Sequence, residues 1–243
     1  VFVLDQNKVV PRVLPSSLPR RLRDEDEVFC WLKKIHMKIM TIKIGSSVLL
    51  TARNKLDEFR VAHIADQIVS LREQGIGVVL VVSGAVACGA SHINFCSGDT
   101  ELKMIAAGIG QAYVISIFQQ IFLRKYLQVA QVLLTKDILL SKNKKEMISR
   151  LLQTYLELGV VPVINENDAI ELNSFGGNDF LAAAISILLH ADQLMMLSTM
   201  VGSKYGVGGG ETKFKALEQL SRNNIQANIV DGKSKNVILK SIL

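Results

Sequence analysis

The stretch Thr41-Ile-Lys-Ile-Gly-Ser-Ser47 closes an apolar run, Ile39–Ile44, that is too short for a helix and too uniformly apolar for a half-exposed strand. It reads as a strand covered on both faces, with the glycine marking its end. The same signature returns at Val78–Val82, Val129–Leu134, Val160–Ile164, Leu194–Leu197 and Gln226–Val230. Helical patterns lie between these runs. Leu56, Phe59, Ala62, Ala65 and Ile68 fall on one expected helix face, and Gly75 stops that helix. Longer helical patterns cover about 101–126, 144–158, 179–189 and 212–222. The alternation predicts an α/β chain, a three-layer α/β/α sandwich around a mostly parallel central sheet.

Composition narrows the class. The 243 residues are 49% hydrophobic and 21% charged, enough apolar material for one large core or two small ones, so disorder and fibrous repeats are excluded. Cys30, Cys88 and Cys96 have neither the number nor the spacing of a disulfide framework or a zinc site, which suits a reducing, cytoplasmic setting. Val78–Val82 reads as the longest apolar run and is too short for a membrane span of about 20 residues, so no membrane partner is expected. Net charge is +6, yet residues 1–38 carry eight Lys/Arg against five Asp/Glu, and the remainder is ordinarily balanced at 20 against 17. No basic run interleaved with aromatics follows, so no nucleic-acid partner is expected either.

Residues 1–37 are patterned differently from the rest. Pro11, Pro15 and Pro19 suit an extended arm and forbid a helix there. The acidic run Asp24–Glu27 is unlike a transit peptide, and no apolar core of a secretory signal follows the basic residues. This segment reads as an N-terminal extension of unassigned role, with residues 38–243 forming the functional domain.

In parallel sheets ligands sit beyond the carboxyl ends of the strands. Those ends read Gly45-Ser46-Ser47, Ser83-Gly84-Ala85, Thr135-Lys136-Asp137, Asn165-Glu166-Asn167-Asp168 and Ser198-Thr199. Each alone is an ordinary turn; five at one sheet edge favour a site. Lys43 inside an apolar strand is costly to bury unless an anion meets it, the alternative being an edge-strand lysine that reaches solvent. Gly206-Val-Gly-Gly-Gly-Glu-Thr-Lys213 opens a helix with free amides that attract phosphate, the alternative being a flexible linker. Neither a G-x-x-x-x-G-K-[ST] loop nor a G-x-G-x-x-G turn after a strand is present. His36, His63, His92 and His190 share no ligand spacing, and no metal-ligand set is identified.

Six segments carry a resemblance. They are Lys43-Ile-Gly-Ser-Ser, Val82-Ser-Gly-Ala-Val-Ala-Cys-Gly, Ala106-Ala-Gly-Ile-Gly-Gln, Gln131-Val-Leu-Leu-Thr-Lys-Asp, Gly159-Val-Val-Pro-Val-Ile-Asn-Glu-Asn-Asp and Phe175-Gly-Gly-Asn-Asp. In this order they resemble the glutamate 5-kinases of the amino-acid-kinase superfamily, from about Lys38 onward. The resemblance implies the amino-acid-kinase fold and a transferase that uses ATP and Mg²⁺ to phosphorylate the side-chain carboxylate of L-glutamate. The product would be L-glutamyl 5-phosphate, for proline biosynthesis. It also implies a homo-oligomer, dimer or tetramer, with functional coupling to a glutamyl-phosphate reductase. A carboxylate acceptor with a pKa of about 4.3 is already ionised and needs no general base. Charge on the transferring phosphoryl group must instead be absorbed by cations and amide donors.

Position by position, the resemblance makes Lys43 the strand lysine at the transferred phosphate, Lys213 its second cation and Asp179 the aspartate that orients both. Ser83, Asp168 and Asn178 match glutamate-binding positions, with Asp168 facing the substrate ammonium. Ser198 and Thr199, with Val207, Gly208, Gly209, Gly210, Glu211, Thr212 and Lys213, match the ATP-binding segments, to which Lys43 also contributes. The chain departs from the pattern at Gly177, where the family has Asp, at Ser198-Thr199 in place of Thr/Ser-Asp, and in the glycine turn. Thr199 nearly abuts Gly206, so a shortened nucleotide lid is expected, along with absence of the PUA domain. Two alternatives stay open: a catalytically weakened amino-acid-binding or regulatory subunit of the same fold, and another carboxylate or carbamate kinase of the superfamily.

Overall fold

Six parallel strands form the centre of the domain. The computed structural model describes residues 2–5, 8–11, 37–93, 96, 98–199 and 210–242. The chain divides into two units, 1–37 and 38–243. In the first, β1 (Phe2–Asp5) and β2 (Lys8–Pro11) pair antiparallel, with Phe2 opposite Pro11 and Asp5 opposite Lys8. Of the stretch around Pro11, Pro15 and Pro19 that reads as an extended arm, Pro11 falls within the described residues, at the end of β2. At a strand end its missing N–H is tolerated. Pro15 and Pro19 lie outside the described residues.

The second unit holds β3 (Ile39–Ile44), β4 (Gly77–Val82), β5 (Val129–Leu134), β6 (Val161–Glu166), β7 (Gln193–Ser198) and β8 (Gln226–Asp231) in the order β5-β6-β4-β3-β7-β8. Every neighbouring pair is parallel. Parallel pairs need crossovers, and the helices supply them. Lys43 lies opposite Val81 of β4 on one side and Met196 of β7 on the other, so β3 is a central strand. The chain leaves β3 toward β4 and later returns to its other side at β7, a reversal that opens a crevice at the carboxyl ends.

Alternation along β3 sends Met40, Ile42 and Ile44 into one core layer with Val78, Leu80 and Val82 of β4. That layer is closed by α2 (Glu58–Glu73) and α4 (Thr100–Leu123). Helices α6 (Lys142–Glu157) and α7 (Asn178–Leu189) pack on the opposite face, and α8 (Gly210–Arg222) packs on α7 and β8. The short helices α1 (Ser46–Leu49), α3 (Ala85–Ala90), α5 (Lys136–Leu140) and α9 (Val237–Lys240) follow strand ends. They are too brief to show a period in sequence.

Two expectations need correction. Phe59 is 82% exposed, and the buried stripe of α2 is Val61, Ile64, Ala65, Ile68 and Leu71. Asp57 caps the helix through its carboxylate and Arg60 N–H, so Phe59 falls in the first turn, on the solvent side. The second concerns the longest apolar segment. Helix α4 is, by length and composition, apolar enough to cross a membrane, and the reading centred on Val78–Val82 passed over it. Here one side of α4 packs into the fold, with Ala106, Val114, Phe118 and Phe122 buried against α2 and α3.

Helices α3 and α4 approach so closely that their glycines face backbone. A Cβ on Gly110 would lie 1.9 Å from the Ala85 carbonyl oxygen, and one on Gly89 1.8 Å from that of Ala106. Elsewhere α2 anchors α9: His63 Nε2 accepts from Asn236 N–H at 3.1 Å, and buried Gln67 Oε1 accepts from Ile238 N–H at 2.9 Å.

Candidate functional site

The parity that buries Ile42 and Ile44 beneath α2 turns Lys43 to the other face, toward α7. Lys43 is 8% exposed, and its central position excludes the edge-strand alternative. A buried ammonium needs a counter-charge, and Asp179, in the first turn of α7, supplies it. Lys43 Nζ lies 2.7 Å from Asp179 Oδ1. Lys213, entering from α8, brings its Nζ to 3.4 Å from Asp179 Oδ2. One carboxylate thus holds two ammonium groups from distant parts of the chain, and the trio carries one net positive charge.

The turn that presents Asp179 is fixed from β6. Gly176 and Gly177 have φ of 80° and 117°, values that side chains rarely adopt. Glu166, the buried last residue of β6, accepts the Phe175 N–H at 3.0 Å on Oε2. Burial raises the Glu166 pKa first, with repulsion from Asp168 and Glu171 in the same direction, against the lowering pull of the Phe175 and Gly177 N–H groups. Burial likewise raises the pKa of Asp168, whose Oδ1 accepts from Asn173 N–H at 2.7 Å.

A cavity of about 220 Å³ opens beside this turn, walled by α4 and the ends of β5 and β6. Its lining includes Ala85, Gln111, Gln131, Glu166 and Asp168. Gln111 is 7% exposed, and Asn165 Nδ2 donates to its Oε1 at 2.9 Å. Its Nε2 is buried with no hydrogen-bond partner among the described residues. Leaving such a group unpaired costs about 1–3 kcal/mol.

The remaining candidates are distributed as follows. Half-buried Ser83 follows β4 and precedes Gly84, which has φ of 98°. Asn178 starts α7, and its Oδ1 is buried without a partner among the described residues. Neither is part of the wall of the Asp168 cavity. Buried Ser198 ends β7, and exposed Thr199 donates from Oγ1 to Ser47 Oγ at 2.9 Å. Val207, Gly208 and Gly209 lie outside the described residues, and Gly210, Glu211 and Thr212 form the first turn of α8. The structure brings together Lys43, Asp179 and Lys213, and joins Thr199 to the Ser47 turn.

Sequence reasoning assigned no role to Glu166, Gln111 or Lys233, whose Nζ donates to Val48 O at 3.0 Å beneath the Ser46-Ser47 turn. The signal for the first was a carboxylate at the end of an apolar strand, which reads as a turn until the strand is seen to extend through it.

The described residues contain no group of three or more His, Cys, Asp or Glu able to hold a metal ion. Both oxygens of Asp179 face lysines. These residues do not make a protein cage for Mg²⁺, which in phosphoryl transfer is commonly held largely by substrate phosphates.

The model of the amino acid kinase family matches residues 38–231. The chain belongs to that family. It is 34% identical over 232 aligned positions to the glutamate 5-kinase of Aquifex aeolicus strain VF5, with 82% of this chain and 65% of the relative covered. The chain thus spans slightly less than two thirds of that protein. To the glutamate 5-kinase of Clostridium acetobutylicum it is 30% identical over 236 positions, with 82% of this chain and 88% of the relative covered. Solved structures share the fold at low identity. UMP kinase from Ureaplasma parvum gives a TM-score of 0.58 at 14% identity, over 84% of this chain and 94% of that one. Giardia carbamate kinase gives 0.58 at 13%, over 84% and 96%. The family fold, an all-parallel six-stranded sheet between helical layers, therefore accords with these neighbours.

Proposed function

We propose that this kinase-family chain transfers the terminal phosphoryl group of ATP to the side-chain carboxylate of L-glutamate. The observation that carries the reading is the meeting of Lys43 and Lys213 on Asp179 at the carboxyl end of the sheet. Two anions must approach in this reaction, and two lysines with one carboxylate leave a surplus positive charge to offset their repulsion. A substrate carboxylate oxygen attacks the terminal phosphorus, the bond to the bridging oxygen breaks, and ADP leaves. Lys43 would face the migrating phosphoryl group, Lys213 the nucleotide side, and Asp179 would keep the two ammonium groups at fixed separation. Asp168 would take the substrate ammonium, with Ser83 and Asn178 completing the glutamate site. Ser198, Thr199 and the segment from Val207 to Lys213 would hold ATP, accompanied by Mg²⁺.

Support for glutamate comes from the relatives, both glutamate 5-kinases, and from the acidic cavity with Asp168 at its wall. The product would be the activated carboxylate that begins proline biosynthesis, and a reductase would consume it. We place the enzyme in the cytoplasm as a homo-oligomer. The test is glutamate-dependent ADP release with Mg²⁺, compared with N-acetylglutamate, aspartate and carbamate as acceptors. Release with glutamate that disappears in Lys43→Ala supports the reading, and preference for another acceptor replaces it.

One observation favours a second reading. The Aquifex match runs over 232 positions but takes only 82% of 243 residues, about 199, so about 33 positions of the alignment have no residue from this chain. A shortened nucleotide lid would produce such a deficit and would suit a glutamate-binding subunit with weakened turnover. Calorimetry separates the two: glutamate binding without ATP binding selects the second.

A further inference from the structure

We infer that Gln111 sets specificity at the amino-acid site by donating its side-chain N–H to the α-carboxylate of the substrate, a reading that rests on the proposed function. The amide orientations are set from a backbone group. Glu166 N–H donates to Asn165 Oδ1 at 2.9 Å, which fixes which way the Asn165 amide faces. Its NH₂ therefore points at Gln111, and Asn165 Nδ2 donates to Gln111 Oε1 at 2.9 Å. That contact fixes the Gln111 amide in turn, leaving Nε2 as the free end of a relay that starts in β6.

All three members are more than nine-tenths buried, so no solvent exchange blurs the orientation. Nε2 has no partner among the described residues, and Gln111 stands in the wall of the cavity that also contains Asp168. A buried donor that has been oriented but not satisfied calls for an acceptor. Within this cavity the protein's own carboxylates, Glu166 and Asp168, are engaged by the N–H groups of Phe175 and Asn173. An amino acid offers two charged groups at its α-carbon, one cationic and one anionic. Asp168 suits the first and the Gln111 amide the second, so the pair distinguishes an α-amino acid from a simple amine or a simple acid. Recognition by a donor that is otherwise unpaired discriminates strongly, because a ligand lacking the acceptor leaves the donor buried and unsatisfied.

The experiment titrates the full chain by calorimetry with L-glutamate and with 4-aminobutanoate, which keeps the amine and distal carboxylate but lacks the α-carboxylate. Gln111→Leu should weaken L-glutamate at least tenfold, about 1.4 kcal/mol, and leave 4-aminobutanoate within about twofold. The ATP KM should stay near the wild-type value, while the melting temperature falls because buried Asn165 Nδ2 loses its acceptor, a loss that Gln111→Glu avoids by keeping an acceptor oxygen. Should 4-aminobutanoate bind too weakly to titrate, the L-glutamate loss at unaltered ATP KM decides. Should Gln111→Leu fail to fold, Gln111→Glu, close in volume, replaces the donor with an anion and should produce at least the same selective loss. An unchanged L-glutamate affinity, or an equal loss for both ligands, overturns the assignment. A wild-type chain that binds neither ligand sinks the functional reading itself, a result distinct from glutamate binding that ignores Gln111.

Discussion

Lys213 Nζ lies 3.4 Å from Asp179 Oδ2, the oxygen opposite the one that meets Lys43. The carboxylate therefore acts as a spacer between two cations as well as their counter-charge. Lys43→Ala and Lys213→Ala should each lower kcat by about 10²–10³, the range for removing one preorganised donor to developing charge. Asp179→Asn should lower both kcat and stability, because breaking a buried pair typically costs about 3–5 kcal/mol. Steady-state assays and urea unfolding read the two effects separately. Full turnover in either lysine variant defeats the mechanism.

Acid should weaken glutamate binding sooner than an ordinary aspartate would predict. Burial holds the Asp168 pKa above the ordinary value of 3.8, and the carboxyl must be ionised to meet an ammonium. Affinity therefore declines as pH falls through a midpoint higher than 3.8, and Asp168→Asn should weaken binding and flatten the profile. Stability runs the other way. A carboxyl whose folded pKa exceeds its unfolded one favours folding most below the unfolded value, and this contribution disappears as pH rises through the folded value. Asp168→Asn should therefore raise the melting temperature slightly at neutral pH, which thermal scans across pH 3–8 measure.

Glu166→Ala should destabilise the fold by about 1–3 kcal/mol by stripping the Phe175 N–H of its acceptor. Glu166→Gln keeps an acceptor oxygen and should remain within about 1 kcal/mol of wild type. Urea midpoints distinguish these outcomes, and equal midpoints for both variants would remove Glu166 as the anchor of the turn.

Gly110→Ala puts a methyl carbon 1.9 Å from the Ala85 carbonyl oxygen, so α3 and α4 must separate. Overpacking of this kind costs about 1–3 kcal/mol, and backbone on both sides gives little room to relax. A lower melting temperature is expected, whereas Gly108→Ala, whose Cβ would meet only the Ala169 side chain at 3.7 Å, should be nearly silent.

Restoring the family's acidic residue by Gly177→Asp should destabilise this chain. Space is available, since a Cβ there would meet only Asn173 Oδ1 at 4.0 Å, but φ of 117° is unsuited to a side chain and costs about 1–3 kcal/mol. Differential scanning calorimetry gives the result directly. An unaltered or higher melting temperature would mean that the turn has another conformation within easy reach.

The sheet was legible because burial on both faces leaves uninterrupted apolar runs: Ile39–Ile44 and Val129–Leu134 have the expected limits. The α2 face was misjudged because Leu56 and Phe59 continue an apolar spacing into a cap and first turn that the core does not reach. Lys43 announced itself as a charge in an apolar strand. Its meeting with Asp179 and Lys213 depends on strand order and crossover length, which the family resemblance anticipated and periodicity alone does not contain. Gln111 ends one of the six resembling segments, yet no role for it was legible, for a different reason: a glutamine on a helix is unremarkable until burial removes water and leaves one donor unpaired.

Helix α8, which carries Lys213, comes late in the chain, whereas the strand bearing Lys43 begins the domain. Any ribosome-bound or proteolysed fragment ending before α8 possesses one cation of the pair and a carboxylate with a vacant side. On the proposed mechanism, phosphoryl transfer would switch on only when the segment from Gly210 onward, about a seventh of the 243 residues, has docked, so catalytic onset timed against chain elongation would serve as a clock for completed folding.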